Sequence, residues 1–262
     1  MKEILFFALL SSYALNFLPN ADQKFRPPGT KEVVANFFMD EQELTNMDWR
    51  EYVDYQKRLY GEDSQEFQNV LPDTSVWAIE GSYNDPLIST YYSHPSYNYY
   101  PVVGISYQQA KDYCVWRTAR VKEMSKKYGV EVNFEYRLPT RTEWELVAKA
   151  GYTNKQKKLL RKQKEKYNDK NMRNCNMIIS GYSESYYSED RMTAPSRSYL
   201  PNKYQVFNMY GNVAEMIKEE NIAMGGSYRD KYEDIVPSHK ALTYDGPQRW
   251  LGFRCVAEVF HK

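Results

Sequence analysis

The sequence predicts an α+β fold with few strands, few helices and much irregular chain. Three observations predict it. Helical spacing is confined to a few capped segments. Strand-like runs of β-branched and aromatic residues are short. Residues 62–104 keep no sustained period and are punctuated by Pro72, Gly81, Pro86, Pro95 and Pro101, with tyrosines interleaved.

Taken in order, Met1 to Leu18 is the only long apolar run. Ile4 to Leu10 is shorter than the about 20 residues a spanning helix needs and has the length of a signal-peptide core, with Lys2 before it. Residues 1–21 are therefore expected to be a signal peptide or an N-terminal arm, and 22–262 a single domain. Glu32 to Asp40 reads as one strand. Thr45 to Asp48 resembles a capping box, and Trp49, Tyr52, Val53 and Leu59 follow at helical spacing until Gly61. A second helix starts at Ser106 and carries Ala110, Cys114, Arg117, Val121 and Met124 on one stripe until Gly129. Phe134 to Leu138 is extended, and Pro139 forces a turn. Thr140 and Glu143 then form a capping box ahead of the buried face Trp144, Val147 and Ala148. The basic run from Lys155 to Lys166 reads either as a solvated helix or as a site for an acidic partner. Short strands close the chain at Ile222 to Met224 and at Phe253 to Phe260.

Composition narrows the function. With 35 basic and 34 acidic residues the net charge is +1, so the basic surplus of a nucleic-acid binder is missing. The 25 tyrosines suit half-exposed interfaces, or serve as filler in a fold with little regular structure. Three cysteines, Cys114, Cys175 and Cys255, would leave one over if an exported chain paired two of them, and spacing does not say which. His94, His239 and His261 are scattered, with no zinc-ligand spacing.

Several phrases then occur in a familiar order. Arg137-Leu138-Pro139-Thr140 with Glu143-Trp144-Glu145 resembles a block of the formylglycine-generating-enzyme (sulfatase-modifying factor) family. Asn208 to Glu215, Gly225-Gly226-Ser227-Tyr228 and Gly252-Phe253-Arg254-Cys255 resemble three later blocks. Phe38 to Glu41, with Glu43 and Thr45-Asn46, resembles the first strand-to-helix turn, and Tyr100 to Ser106 the approach to the second helix. The resemblance covers roughly Val33 to Val259. It implies a variant of the C-type-lectin-like fold and a disulfide between Cys114 and Cys255. It also implies calcium at Asn208, Gly211, Val213 and Glu215, since calcium takes hard oxygen ligands. A second calcium region would fall between Asn176 and Asp190, where the spacing departs from the family's.

The resemblance also locates the catalytic loop. Enzymes of the family oxidise a substrate cysteine with copper held by two cysteines just after the double glycine, and soft thiolates suit Cu(I). Here those two positions are Asp230 and Ile235. An isoleucine neither ligates copper nor acts as a thiol nucleophile, so no copper and no formylglycine chemistry are expected. The histidine-rich motif of the iron-dependent relatives is also missing. Glu233 and Asp234 could be cast as an acid–base pair, or belong to a solvated loop.

The phrase from His94 to Val103, with Trp116-Arg117-Thr118 and Arg120-Val121, looks most like the gliding-motility lipoproteins of Bacteroidetes, silent members of the family in the type IX secretion apparatus. This chain departs from them in lacking a lipobox cysteine. The expected function is a non-catalytic assembly component of an exported, periplasmic or outer-membrane-associated complex, held to the membrane through protein partners. Its contact surface is expected at Tyr91, Tyr92, Tyr97, Tyr99 and Tyr100. The alternatives are a lectin-like ligand module using the loop from Arg229 to Trp250, or an enzyme with altered, non-copper chemistry.

Overall fold

A computed structural model describes residues 25–79, 85–166, 173–180 and 191–260. The expected signal segment at 1–21, and Tyr83 in the tyrosine-rich stretch, lie outside the described residues.

The chain opens with a hairpin, β1 (Thr30–Val34) and β2 (Phe37–Asp40). The single strand expected from Glu32 to Asp40 is thus two. Asn36 adopts a left-handed φ of 67°, which asparagine tolerates, and turns the chain inside a run of strand-forming residues. Next comes α1 (Asn46–Tyr60), opened by a complete capping box between Thr45 and Asp48. Its Trp49, Tyr52 and Val53 are buried, whereas Leu59 is 56% exposed and leaves the expected stripe. The stretch without a period resolves into short turns: α2 (Gln65–Gln68), a 3-10 turn at Thr74–Trp77, α3 (Asp85–Thr90) and a second 3-10 turn at Pro95–Tyr97.

The long helix α4 (Tyr107–Lys127) starts on a capping box between Ser106 and Gln109. It crosses α1 through rings: Trp49 stacks on Tyr113 at 5.5 Å, and both meet Phe253 edge-on. Strand β3 (Phe134–Arg137) leads to α5 (Arg141–Ala148), whose Thr140 box and buried Trp144, Val147 and Ala148 are as expected. The basic run forms α6 (Asn154–Lys166), on which Gln156 is the buried residue.

The remaining strands are β4 (Ala214–Met216), β5 (Ile222–Met224), β6 (Leu242–Thr243), β7 (Leu251–Phe253) and β8 (Val256–Val259), with a single-turn helix α7 (Tyr232–Ile235) between β5 and β6. The described strands form two sheets of four. One, in the order β1-β2-β8-β3, is antiparallel throughout; the other runs β6-β5-β4-β7, with β4 and β7 parallel. The closing strand expected from Phe253 to Phe260 is therefore split, with β7 in one sheet and β8 in the other. Arg254 and Cys255, both 0% exposed, are the joint between the sheets. No helix among the described residues is long and apolar enough to cross a membrane.

Candidate functional site

The double glycine is demanded by close approach. Gly225 and Gly226 both have positive φ, 91° and 67°. A Cβ on Gly225 would lie 2.9 Å from the Met209 carbonyl oxygen; one on Gly226 would lie 2.9 Å from Met177 Cε and 3.0 Å from Ile235 Cγ2. After the glycines the chain turns on itself. The Ser227 amide and hydroxyl both donate to Asp230 Oδ2, at 2.8 and 2.6 Å. The loop then docks through Lys231 on Ile178 as a parallel bridge, with the Ile178 amide donating to the Asp230 carbonyl.

This geometry defines what the two family copper positions do here. Asp230 is the acceptor that closes its own turn. Ile235 is 2% exposed and fills the space over Gly226 beside Met177. One side chain is spent on a local hydrogen bond and the other is apolar packing, so this donor set does not fit copper. Glu233 and Asp234 are exposed, and Glu233 accepts from the Ser180 hydroxyl at 3.0 Å. They are not enclosed as an acid–base pair.

Behind the loop lies a buried polar network. Arg254, 0% exposed, donates from Nε and Nη2 to the two oxygens of Glu215 at 2.7 and 2.5 Å. Its remaining bonds reach the carbonyls of Asp40, Phe207 and Asn208. The Trp144 indole donates to Glu215 at 2.8 Å, which ties α5 to the pair. Nearby, Glu43 accepts from the amides of Asn208 and Asn212 at 3.1 and 3.0 Å. Burial pushes the Glu43 carboxyl up to about 7, against the pull of Arg254. A second buried pair, Arg117 with Asp40 at 2.8 Å, ties α4 to β2, and Asp40 also accepts from the Cys255 amide.

The calcium set inferred from the resemblance meets this network, and its members differ in what they leave for a cation. Asn208 Oδ1 is buried without a partner and would suit one, but Glu215 already faces a guanidinium and an indole N–H. Val213 packs its side chain among Trp77, Leu87, Tyr91 and Val103, and the Gly211 amide donates to the Gly225 carbonyl. The Arg254 guanidinium already balances the Glu215 charge. Chelator is accordingly expected to leave the thermal midpoint unchanged; a drop of more than about 2 °C on chelation, restored by calcium, would count against this assignment. In the second region, Asn176 bonds Met192, Asn212 and Arg191, and residues 181–190 lie outside the described set. Among the described residues no group of three or more His, Cys, Asp or Glu side chains could hold a metal ion.

The disulfide inferred for Cys114 and Cys255 is not formed in the structure. The two buried sulfurs are adjacent at 3.4 Å, a thiol contact rather than a bond of about 2.05 Å. Cys175 stands apart, its thiol pushed up to about 12 by burial.

The tyrosine surface is corrected most. Tyr91 is 2% exposed and belongs to the core, its hydroxyl bonded to the Pro101 carbonyl and Thr193. Tyr97 and Tyr100 pack against Tyr91, and Tyr92 is half-buried; Tyr99, 66% exposed, is the one of the five that faces outward. Tyr91, Tyr97 and Tyr100 are filler, which suits tyrosine because its polar tip can still find a carbonyl, as the Tyr91 hydroxyl does. Sequence reasoning missed the Glu43 network. A carboxylate just before a capping threonine reads as a solvated loop residue, and its partners are 165 and 169 positions away.

The chain is similar to known proteins over most of its length. Residues 12–259 match the family model described as the sulfatase-modifying factor enzyme 1-like domain. The formylglycine-generating enzyme of Mus musculus is 24% identical over 285 residues, covering 92% of this chain and 71% of that protein. That of Bos taurus is 23% identical, with 92% and 70% covered. Among solved structures, that of CarF is 18% identical with a TM-score of 0.49, over 86% of this chain and 87% of the other. A chain matched by the family model over nearly its whole length, with the strand-to-helix turns and the glycine loop in the family's order, belongs to the sulfatase-modifying factor enzyme 1-like (FGE-sulfatase) family.

Proposed function

We propose that this chain is a catalytically silent member of its family, serving as an assembly component of an exported or cell-envelope complex. The observation that supports the reading is the filled catalytic loop: Asp230 closes its own turn and Ile235 is buried against Gly226. A scaffold that keeps its buried polar network while its reactive positions are packed shut suits a binding role. The likeness of the His94 to Val103 phrase to gliding-motility lipoproteins supports a place in type IX secretion or gliding. Two experiments test this. With Cu(I) supplied, a cysteine-containing sulfatase peptide is expected to remain unoxidised; conversion to formylglycine overturns the silent reading. Crosslinked pull-down from the native envelope is expected to recover a stable partner, and a clean lane would sink the assembly role.

A second reading has one observation in its favour. In the Arg229 to Trp250 loop, Arg249 Nη1 and Trp250 Nε1 are buried without partners, beside the equally unpartnered Tyr228 hydroxyl. Unspent donors of this kind suit a small anionic or polyol ligand. A glycan array without hits, together with a flat titration, disposes of it.

A further inference from the structure

A cleft of about 1060 Å³ lies along α6, walled by residues 173–175, by the 197–210 segment and by the start of α7. Its described lining carries four cationic side chains, Lys149, Lys164, Arg173 and Arg197, and no carboxylate. In a chain of net charge +1 this is a local concentration. Four tyrosines, Tyr152, Tyr199, Tyr210 and Tyr232, floor the same space.

The walls are tied together. The Gln156 amide, buried on α6, donates to the carbonyls of Pro201 and Asn202 at 2.9 and 3.2 Å. Asn174 donates to the Tyr152 hydroxyl and to the Leu200 carbonyl, and accepts from the Leu200 amide. On the helix, Leu160 and Lys164 are one turn apart, half-buried and facing the cleft. Outside it, α6 continues the cationic surface with exposed lysines such as Lys155, Lys157 and Lys158.

Some of the lining charge is already answered. Lys149 pairs with Glu145 at 2.6 Å, Arg197 pairs with Glu41, and Arg173 lies over the Tyr232 ring at 5.2 Å. Lys164 has no ion-pair partner among the described residues. The surplus is therefore on the α6 side.

We propose that this cleft and the lysine face of α6 bind an acidic segment of a protein partner. The inference rests on the assembly reading above and gives that partner a chemistry. Charge complementarity selects the acid, and the tyrosine floor offers an extended backbone flat rings and hydroxyl partners. Thirteen helical residues span about 20 Å, the length of about six residues of extended chain. Nucleic acid is disfavoured by the balanced total charge. A membrane surface is disfavoured because α6 has only Leu159 and Leu160 as apolar side chains, too few for a buried face.

The test uses the full chain and a fluorescent octaglutamate peptide, followed by anisotropy. Saturable binding is expected, weakened by added salt. Lys157→Glu/Lys164→Glu is expected to weaken it about tenfold, while the same charge change on α4, Lys126→Glu/Lys127→Glu, leaves it unchanged. All four positions are solvent-accessible, so an unchanged thermal midpoint establishes that each variant is folded. Absence of saturable binding overturns the inference. So does equal weakening by the α4 control, which signals bulk charge. Tighter capture of single-stranded DNA, or of vesicles of anionic lipid, than of the peptide also overturns it. Repeating the envelope pull-down with the α6 variant separates the two readings. Partner retained while peptide binding is lost overturns the cleft and spares the assembly role. Peptide bound with no envelope partner recovered overturns the assembly role and spares the cleft.

Discussion

Replacing Arg254 with leucine is expected to cost about 3–5 kcal/mol of folding stability, a large share of what a domain has. The reason is the company the guanidinium keeps. Arg254 and Glu215 are 0% and 1% exposed, so removing the cation leaves a carboxylate in the interior with a single indole donor. It also strips a donor from the carbonyls of Asp40, Phe207 and Asn208, at the joint where the chain leaves one sheet for the other. Urea unfolding checks the claim through a lower midpoint at constant slope. Arg254→Met with Glu215→Met separates the two contributions. Recovery of most of the stability assigns the cost to the stranded carboxylate. A double variant as poor as the single assigns it to the carbonyls. A loss below about 1 kcal/mol in the single variant would show that the pair does not hold the joint.

Stability is expected to fall as pH rises from about 4.5 to about 7, through Glu43. The folded carboxyl titrates near 7 because burial disfavours its anion, with the Glu215 charge adding to the effect and Arg254 opposing it. Below the ordinary value of 4.5 the group is protonated in both states, and its favourable contribution is complete. Between the two values the unfolded chain ionises while the folded one does not, so stability is lost with rising pH. Above the folded value both are ionised and the loss is complete. The whole step is worth roughly 3 kcal/mol. Glu43→Gln removes the titration. The variant's stability relative to wild type should therefore rise by roughly that amount between about pH 5 and about pH 8. Parallel profiles for the two proteins would show that Glu43 is ionised throughout.

The capped helices were legible because a cap is a local event. Thr45 with Asp48, Ser106 with Gln109, and Thr140 with Glu143 each close within three residues, and the stripes behind them follow the helical period. The hairpin was not legible, because Val34 and Phe37 flank a turn whose signal is one asparagine among strand formers. Nor was the fate of the tyrosines. A ring that caps a core and a ring that meets a partner have the same composition, and their neighbours decide which it is.

By itself the sequence determined the membership of the chain, the order of its capped helices and the loss of both thiols from the glycine loop. Those follow from residue identities and short spacings. The tertiary structure decided the rest. The resemblance places Glu215 at an ion, and only the fold sets Arg254, 39 positions away, against it; Glu43 owes its role to amides 165 and 169 positions away. Lys164 is part of a cleft only because residues 173–175 and the 197–210 segment lie opposite α6. Charges and amides are read by what surrounds them, and in this fold the surroundings come from distant parts of the chain. That is why the scaffold could be read along the chain while its buried chemistry could not.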